Sequence, residues 1–291
     1  MRNTPLWILA LMFSGMFFLV DVGKAQEDWE ALFFESNQAY ADGDFEAAIR
    51  GYRQLIRSGY AYGQIYYNLG NAYLRTDALG RAIWAYERAR VVMPRDADLN
   101  YNLAHVRDQT VDAIPETRGL ADTAFFWLDH VTLTEVFRGF AVLNLFFWTV
   151  LLIRLFKRTE WLYYMLILLI PLWGIAAGSF GVKWHQLKND DRAIIVAKSA
   201  NVLAGPQPSD TVLFKLHEGA MVTVERSENG WRLIQLSDEK RGWVKRKTLQ
   251  LLSTPIAPKP MGANGAQRFQ PPTRQRSTFS QASFLTHRYF S

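Results

Sequence analysis

The segment WLYYMLILLIPLWGIAAGSFGV, residues 161–182, is the longest stretch of the chain without a charged residue. As a helix its twenty-two residues extend about 33 Å at 1.5 Å per residue, enough to cross the ~30 Å hydrocarbon layer of a bilayer. We therefore predict a transmembrane helix over residues 161–182. This prediction makes the chain a membrane protein, and the remaining segments are interpreted around it.

A second span is predicted over residues 136–156, where the only charges are Arg138 and Arg154. Both lie near the ends, so they can reach the headgroups and avoid the cost of about 2.5–3.5 kcal/mol at the bilayer centre. The loop to the next span carries more bases than acids, and the positive-inside rule predicts that it is cytoplasmic. Pro171 and the glycines at 174, 178 and 181 either kink the second span and let the two helices approach closely, or only reflect how common glycine is in such helices. Both flanking regions are then expected on the outer side of the membrane.

The N-terminus predicts export. Met1 and Arg2 precede an uncharged apolar run from Leu6 to Val20, which is followed by Asp21 and then by Gly23-Lys24-Ala25. This arrangement is typical of a secretory signal peptide, and we predict residues 1–25 with cleavage after Ala25. The alternative is an uncleaved N-terminal anchor.

Residues 26–110 contain an internal repeat of 34 residues. The offset superposes Ile49 on Ile83 and Tyr52 on Tyr86, and residues 63–96 carry small, aromatic and proline residues at fixed places. The pattern resembles the tetratricopeptide (TPR) repeat, a helix–turn–helix unit. The resemblance implies two repeats, over 29–62 and 63–96, and a capping helix near 97–110. The residues that match the TPR pattern are Tyr66, Leu69, Gly70, Tyr73, Ala82, Tyr86, Ala89 and Pro94.

A partner-binding groove is predicted on the inner helices of these repeats. Asparagine both donates and accepts hydrogen bonds, which suits an extended peptide backbone. The alternative is that these side chains only cap and solvate helices. The candidate residues are Asn37, Asn68, Asn71, Asn102, Tyr67 and Arg75.

Residues 191–252 predict a small all-β module of five short strands. β-rich runs alternate with turn signals, and Asn229-Gly230 before an alternating run predicts a hairpin. Glycine-tryptophan pairs at 230–231 and 242–243 resemble those of the bacterial SH3 (SH3b) domain. Trp231 and Trp243 either form a ligand platform, with peptidoglycan as one ligand that the resemblance implies, or belong to the barrel core.

The composition excludes several kinds of chemistry. The chain has no cysteine, so disulfides, thiolate metal sites and cysteine nucleophiles are excluded. No metal-ligand pair of histidines and no phosphate-binding glycine loop occurs, so we predict no catalytic residue, no metal, no cofactor and no enzyme. The net charge of +6 forms no single basic face, so nucleic-acid binding is not expected. Residues 253–291 hold five prolines, five bases and no acid, and we predict a disordered basic tail.

The predicted fold class is a multidomain membrane protein with a TPR solenoid, a two-helix transmembrane hairpin and an SH3-like barrel. Residues 111–135 form the linker between the first two parts. This order of parts is similar to the BatE family of the bacterial aerotolerance (Bat) operon. The resemblance implies a non-catalytic inner-membrane scaffold with periplasmic TPR and SH3b modules, von Willebrand A-domain proteins as partners, and a role in stress tolerance or envelope integrity. The alternative is a cell-wall-attachment protein whose barrel holds peptidoglycan and whose groove recruits an envelope enzyme.

Overall fold

The computed structural model describes residues 29–112, 120–157, 159–236 and 240–253. The predicted signal peptide lies outside the described residues, as does all of the predicted tail except Ser253. The chain divides into two compact units. The first is described over residues 29–60 and the second over the described residues from 61 to 253.

The first unit contains a pair of helices. Gly43 has a φ of +85°, which allows the sharp turn between them, and the Asp44 side chain accepts a hydrogen bond from the Ala47 amide at the start of the second helix. Tyr52 is fully buried between the helices, and the rings of Trp29 and Tyr60 stack at 5.4 Å. The helices are α1 (residues 29–41) and α2 (Phe45–Arg57).

The second unit begins with three helices, α3 (Gly63–Arg75), α4 (Leu79–Val92) and α5 (Ala97–Arg107). A Cβ atom at Gly70 would lie 2.5 Å from the buried ring of Tyr86, so α3 and α4 approach closely there. The buried carboxylate of Glu87 links α4 to α5 because it accepts a hydrogen bond from Arg107 at 2.6 Å. Arg90 of α4 also donates to this carboxylate, at 2.9 Å.

The helix bounds reproduce the sequence period. α2 begins at Phe45 and α4 at Leu79, 34 residues later (79 − 45 = 34), and each helix pair lies inside one predicted repeat. The assignment of these pairs to the TPR family stays a prediction.

Two long helices follow, and each is long and apolar enough to span a membrane. Thr132 and Glu135 form a capping box at the start of the first helix. The second continues past the predicted end at residue 182 to Lys188, and in this extension the Lys183 amine donates to the Leu128 carbonyl of the 3₁₀ turn at 2.7 Å. The elements are α6 (Leu120–Ala124), a 3₁₀ turn (Phe126–His130), α7 (Leu133–Phe156) and α8 (Glu160–Lys188).

Of the two alternatives for the glycines of α8, the structure does not favour close helix approach. A Cβ atom at Gly174 or Gly181 would meet no atom within 4 Å, and one at Gly178 would meet the ring of Phe125 at 3.4 Å. Large apolar side chains join α7 and α8 instead, and Trp173 Nε1 of α8 donates to Asn144 Oδ1 of α7 at 3.0 Å. The buried contacts are Val150, Leu162 and Leu169.

The C-terminal sheet is antiparallel in every pairing and has the strand order β3-β2-β6-β5-β4-β1-β7. The described residues form seven strands where the sequence predicted five, because a strand as short as β7 is too brief to show an alternating pattern. One buried apolar core joins side chains of every strand. The strands are β1 (Arg192–Ile195), β2 (Ser199–Leu203), β3 (Val212–His217), β4 (Met221–Glu228), β5 (Trp231–Gln235), β6 (Arg241–Lys245) and β7 (Leu249–Leu251).

Two glycine positions shape this sheet. Asn229 and Gly230 have φ angles of 45° and 83°, so the predicted Asn-Gly hairpin turn is confirmed as a left-handed two-residue turn between β4 and β5. At Gly242 an added Cβ atom would meet Val202 and, at 3.0 Å, the carbonyl oxygen of Leu203. β2 and β6 cross closely at this point, where Leu203 pairs with Trp243.

We predict that Gly242→Ala destabilises the sheet by about 1–3 kcal/mol, the typical cost of overpacking a close contact. Thermal unfolding of the purified protein in detergent measures the change. Gly181→Ala is the matched control, since its Cβ atom meets nothing within 4 Å. Equal melting temperatures for the two variants would contradict the close crossing of β2 and β6.

Candidate functional site

The two predicted SH3b ligand residues lie together on the outer face of the sheet. Trp231 and Trp243 pack with Leu203 and Leu233 into a small apolar cluster separate from the barrel core. Their exposed fractions are only 8% and 6%. The indole rings therefore act mainly as a second core, and their faces do not form an open platform.

Cations cover both indole rings. The guanidinium of Arg226 lies 5.1 Å from the centre of the Trp243 ring, and the amine of Lys245 lies 5.7 Å from the centre of the Trp231 ring. Cations over indole faces are attracted by the ring quadrupole. A ligand approaching this face meets positive charge before it meets the aromatic rings.

The predicted groove asparagines take part in a repeated internal contact. In the first unit the Tyr52 hydroxyl donates to Asn37 Oδ1 at 2.7 Å. In the second unit the Tyr86 hydroxyl donates to Asn71 Oδ1, also at 2.7 Å. The same tyrosine–asparagine pair thus recurs at the 34-residue offset and fixes the second helix of each repeat against the first.

The other groove candidates have varied surroundings. Asn102 Nδ2 donates to the Tyr67 hydroxyl at 3.1 Å, which links α5 to α3. Asn68 is buried, and its side-chain oxygen accepts a hydrogen bond from Gln64 of the same helix at 3.0 Å. Arg75 is exposed at the end of α3. The structure gives most of these side chains internal contacts, and their partner binding stays a prediction.

The structure also brings together residues that the sequence did not single out, at a junction between α4 and the barrel. Trp84 Nε1 donates to the Leu251 carbonyl at 2.8 Å. The buried guanidinium of Arg88 donates to the carbonyls of Leu252 at 3.1 Å and Ser253 at 2.6 Å. These carbonyl groups belong to β7, the edge strand of the sheet, and to the residues that follow it. An edge strand has backbone carbonyls with no neighbouring strand to bond them, and side chains of α4 supply the hydrogen-bond donors here.

Arg88 is itself held by aromatic residues of the helical part. It donates to the Tyr66 hydroxyl at 2.5 Å and lies 4.8 Å from the centre of that ring. The Trp84 ring lies 5.8 Å away on α4. These hydrogen bonds and π contacts offset part of the cost of burying the charge, while the Arg88 Nε atom has no hydrogen-bond partner among the described residues.

Further contacts surround this junction. A Cβ atom at Gly80 would meet the backbone of β1 and of the loop before β4, so α4 approaches the sheet at backbone distance. Lys198 donates to Glu218 at 2.7 Å and to the Asp77 carboxylate at 2.9 Å, and these bonds, with Glu218 first, raise the pKa of its amine. Asp112 accepts from the His217 amide at 2.6 Å.

The sequence carried one weak signal for this junction, because the segment AIWAYERA, residues 82–89, has apolar residues around the whole helix. The structure buries all eight residues, as expected for a helix that contacts partners on more than one side. Two of the buried positions are charged, Glu87 and Arg88. Without the fold, these charges suggest a solvated face.

Among the described residues, no group of three or more histidine, aspartate or glutamate side chains is arranged to hold a metal ion, and the absence of a metal stays a prediction.

We predict that Arg88→Met weakens the junction by about 1.5–3 kcal/mol, the usual range for hydrogen bonds to a charged group. Hydrogen exchange at the β1 and β7 amides, measured by mass spectrometry, should become faster. Arg81→Met is the matched control on the exposed side of the same helix. If both variants exchange like the wild type, α4 does not stabilise the sheet edge.

Comparison with known proteins supports the sheet assignment. A sequence model of the bacterial SH3 domain family matches residues 196–250, which include β2 to β6 and most of β7. No curated protein matches the chain significantly. The C-terminal sheet is therefore a bacterial SH3 domain, preceded by a helical region and two helices able to span a membrane.

Proposed function

We propose that the protein is a non-catalytic membrane scaffold that binds protein partners through its helical repeats and its bacterial SH3 domain. The two long apolar helices hold it in the inner membrane, and both soluble parts lie on the periplasmic side. The basic loop between the helices faces the cytoplasm, as the positive-inside rule predicts. Bacterial SH3 domains commonly bind proteins or peptidoglycan, which supports a binding role.

The contact between α4 and the barrel is the main support for this proposal. Trp84 and Arg88 join two regions that are separated in sequence by the entire membrane hairpin. A scaffold needs binding surfaces held in a fixed relation, because a preordered surface loses less conformational entropy when a partner binds. The α3–α5 region and the barrel therefore act as one composite surface, and flexible tethering of two separate modules is not needed.

The order of the parts supports a Bat-type complex. A helical repeat region, a membrane hairpin and an SH3b domain occur in that order in the BatE family, which the sequence resembles. We propose von Willebrand A-domain proteins as the partners and stress tolerance or envelope integrity as the setting. The SH3b match alone is not specific to such complexes.

We predict that crosslinking in native membranes, followed by detergent purification and mass spectrometry, recovers a von Willebrand A-domain protein with the wild type. Asn71→Ala should reduce its recovery if Asn71 contacts the partner. Tyr86→Phe is the control for the 2.7 Å hydrogen bond, because it removes that bond from the other side and leaves the asparagine in place. Asn71 Oδ1 also accepts from Asn102 Nδ2 at 3.3 Å, so Asn71→Ala removes both bonds and Tyr86→Phe only one. Each change is expected to cost about 1 kcal/mol of stability.

Recovery that falls with Asn71→Ala but not with Tyr86→Phe supports direct contact by the groove. Equal losses in both variants indicate that only the packing of α3 and α4 matters. Crosslinks to other envelope proteins, with no von Willebrand A-domain protein among them, would contradict the proposed partner.

A second candidate is a cell-wall-attachment protein whose barrel binds peptidoglycan. The positive charge over Trp231 and Trp243 favours it, because peptidoglycan stem peptides carry carboxylates. We predict that the detergent-purified protein then sediments with isolated sacculi and that Arg226→Gln with Lys245→Gln reduces the bound fraction severalfold. A protein that stays in the supernatant with sacculi, at low and moderate salt, contradicts this candidate.

A further inference from the structure

The chain segment that leads into α7 exposes large apolar side chains. This stretch, residues 120–130, is termed the aromatic segment, and its residues 124–128 read AFFWL without a charge. Phe126 is 63% exposed, and Leu120 at the start of α6 is 93% exposed. The Trp127 ring lies 5.2 Å from the ring of Phe125 and 5.4 Å from that of Phe126. Neighbouring apolar side chains exposed to this extent indicate a surface that meets lipid or protein.

The aromatic segment is folded against the last turns of α8. A Cβ atom at Gly178 would lie 3.4 Å from the ring of Phe125, so this ring covers the helix at a position without a side chain. One residue further along α8, the buried Ser179 hydroxyl accepts a hydrogen bond from Trp127 Nε1 at 3.3 Å. Two neighbouring rings therefore fix the position of the segment along α8.

These contacts lie within the apolar length of α8. Lys183 is the first charged residue after the uncharged run, and its amine donates to the Leu128 carbonyl at 2.7 Å. Gly178 precedes Lys183 by five residues, about 7.5 Å along the axis at 1.5 Å per residue. The rings of Phe125 and Trp127 therefore lie at the level of the last apolar turn, about one turn inside the charged end of the helix.

The start of α7 indicates the same level. Glu135 in its first turn forms an ion pair with Arg95 of the loop between α4 and α5, so this turn faces the soluble part. Two residues later comes Phe137, which is exposed and whose ring lies 5.7 Å from the ring of Phe180 on α8. Phe180 directly follows the residue that Trp127 contacts. Exposed apolar side chains of α7 and of the aromatic segment therefore occur at one level along the helix pair.

Lipid fits this surface because the surface continues the exposed apolar sides of the two long helices. Aromatic side chains are enriched where a membrane-spanning helix meets the headgroups, since their rings are apolar and tryptophan also carries a polar edge. Trp127 and Trp184 both belong to this end of the helix pair, and both are exposed. A protein partner needs no such match in level with the ends of the apolar run.

We propose that the aromatic segment lies in the interfacial layer of the bilayer, with Phe126 inserted at the boundary between headgroups and acyl chains. This inference rests on the proposed function, because it requires α7 and α8 to span the membrane. It adds a third membrane contact to the hairpin. Because Arg95 and Glu135 join the helical region to the same end of α7, the lipid contact also sets the height of that region above the membrane.

The test uses single cysteines, since the chain has none of its own. Full-length Phe126→Cys is labelled with a nitroxide and reconstituted into vesicles of phosphatidylcholine and phosphatidylglycerol. Electron paramagnetic resonance then compares collisions of the label with oxygen, which concentrates in lipid, and with a nickel chelate, which stays in water. Leu120→Cys replaces this variant if Phe126→Cys does not reconstitute. Both positions are exposed, so a label there is expected to leave the fold intact.

Two reference positions calibrate the ratio of oxygen to nickel collisions. Ile170→Cys reports on an exposed residue near the middle of the uncharged run of α8. Val111→Cys is the matched control, because Val111 is also apolar and exposed but precedes Asp112, whose carboxylate contacts the barrel. We expect the ratio at Phe126 to be several times that at Val111 and lower than that at Ile170.

A ratio at Phe126 equal to that at Val111, while Ile170 stays inaccessible to nickel, overturns the inference and leaves the spanning helices in place. If nickel reaches Ile170 as readily as Val111, the proposed membrane hairpin is wrong and the inference fails with it. A Phe126 label that neither reagent reaches is covered by protein, and this result also overturns the lipid contact.

Discussion

The donation of hydrogen bonds by α4 to the carbonyl groups that end the barrel is the interaction on which the architecture of the second unit depends. Trp84 and Arg88 reach residues 251–253, while the membrane hairpin lies between the two regions in sequence. The contact covers the edge strand β7, which would otherwise expose unpaired backbone groups. It also brings together two chain segments, α4 and residues 251–253, that are more than 160 residues apart in sequence. The charge of Arg88 is tolerated in the interior because carbonyl oxygens and aromatic faces replace its water.

The pair of long apolar helices, α7 and α8, depends on a different kind of packing. In the membrane environment that we propose for this pair there is no hydrophobic drive between helices, so shape and polar contacts must join them. Here bulky residues fill the contact, and Asn144 accepts a hydrogen bond from Trp173 of the neighbouring helix and another, at 3.2 Å, from Trp148 of its own. An asparagine in an apolar span is stable because its oxygen is satisfied. The glycines of α8 leave room along its surface, and only Gly178 comes close to a neighbour, the ring of Phe125.

In the barrel, the two tryptophans that the sequence suggested as ligand-binding residues are buried. Trp231 and Trp243 stabilise the outer face as a second core, and cations stack on their rings. The chemistry that reaches solvent on this face is therefore cationic, because Arg226 and Lys245 lie over the rings. A platform of exposed indoles would favour sugars, whereas this surface favours anionic groups. The helical part is similar, because two asparagines that the sequence suggested for partner binding, Asn37 and Asn71, accept hydrogen bonds from tyrosine hydroxyls of the protein itself.

The sequence by itself determined the parts of this protein whose signals are local. Uncharged length predicted two helices able to span a membrane, Asn229-Gly230 predicted a hairpin, and glycine-tryptophan pairs indicated the bacterial SH3 domain. These features follow from hydropathy, φ preference and short-range pairing, which neighbouring residues fix. Only the tertiary structure decided that Arg88 joins α4 to the barrel, that the tryptophans are covered and that Arg232 is buried. Each of these depends on residues distant in sequence, and a charged residue has the same local pattern whether water or a distant carbonyl group surrounds it.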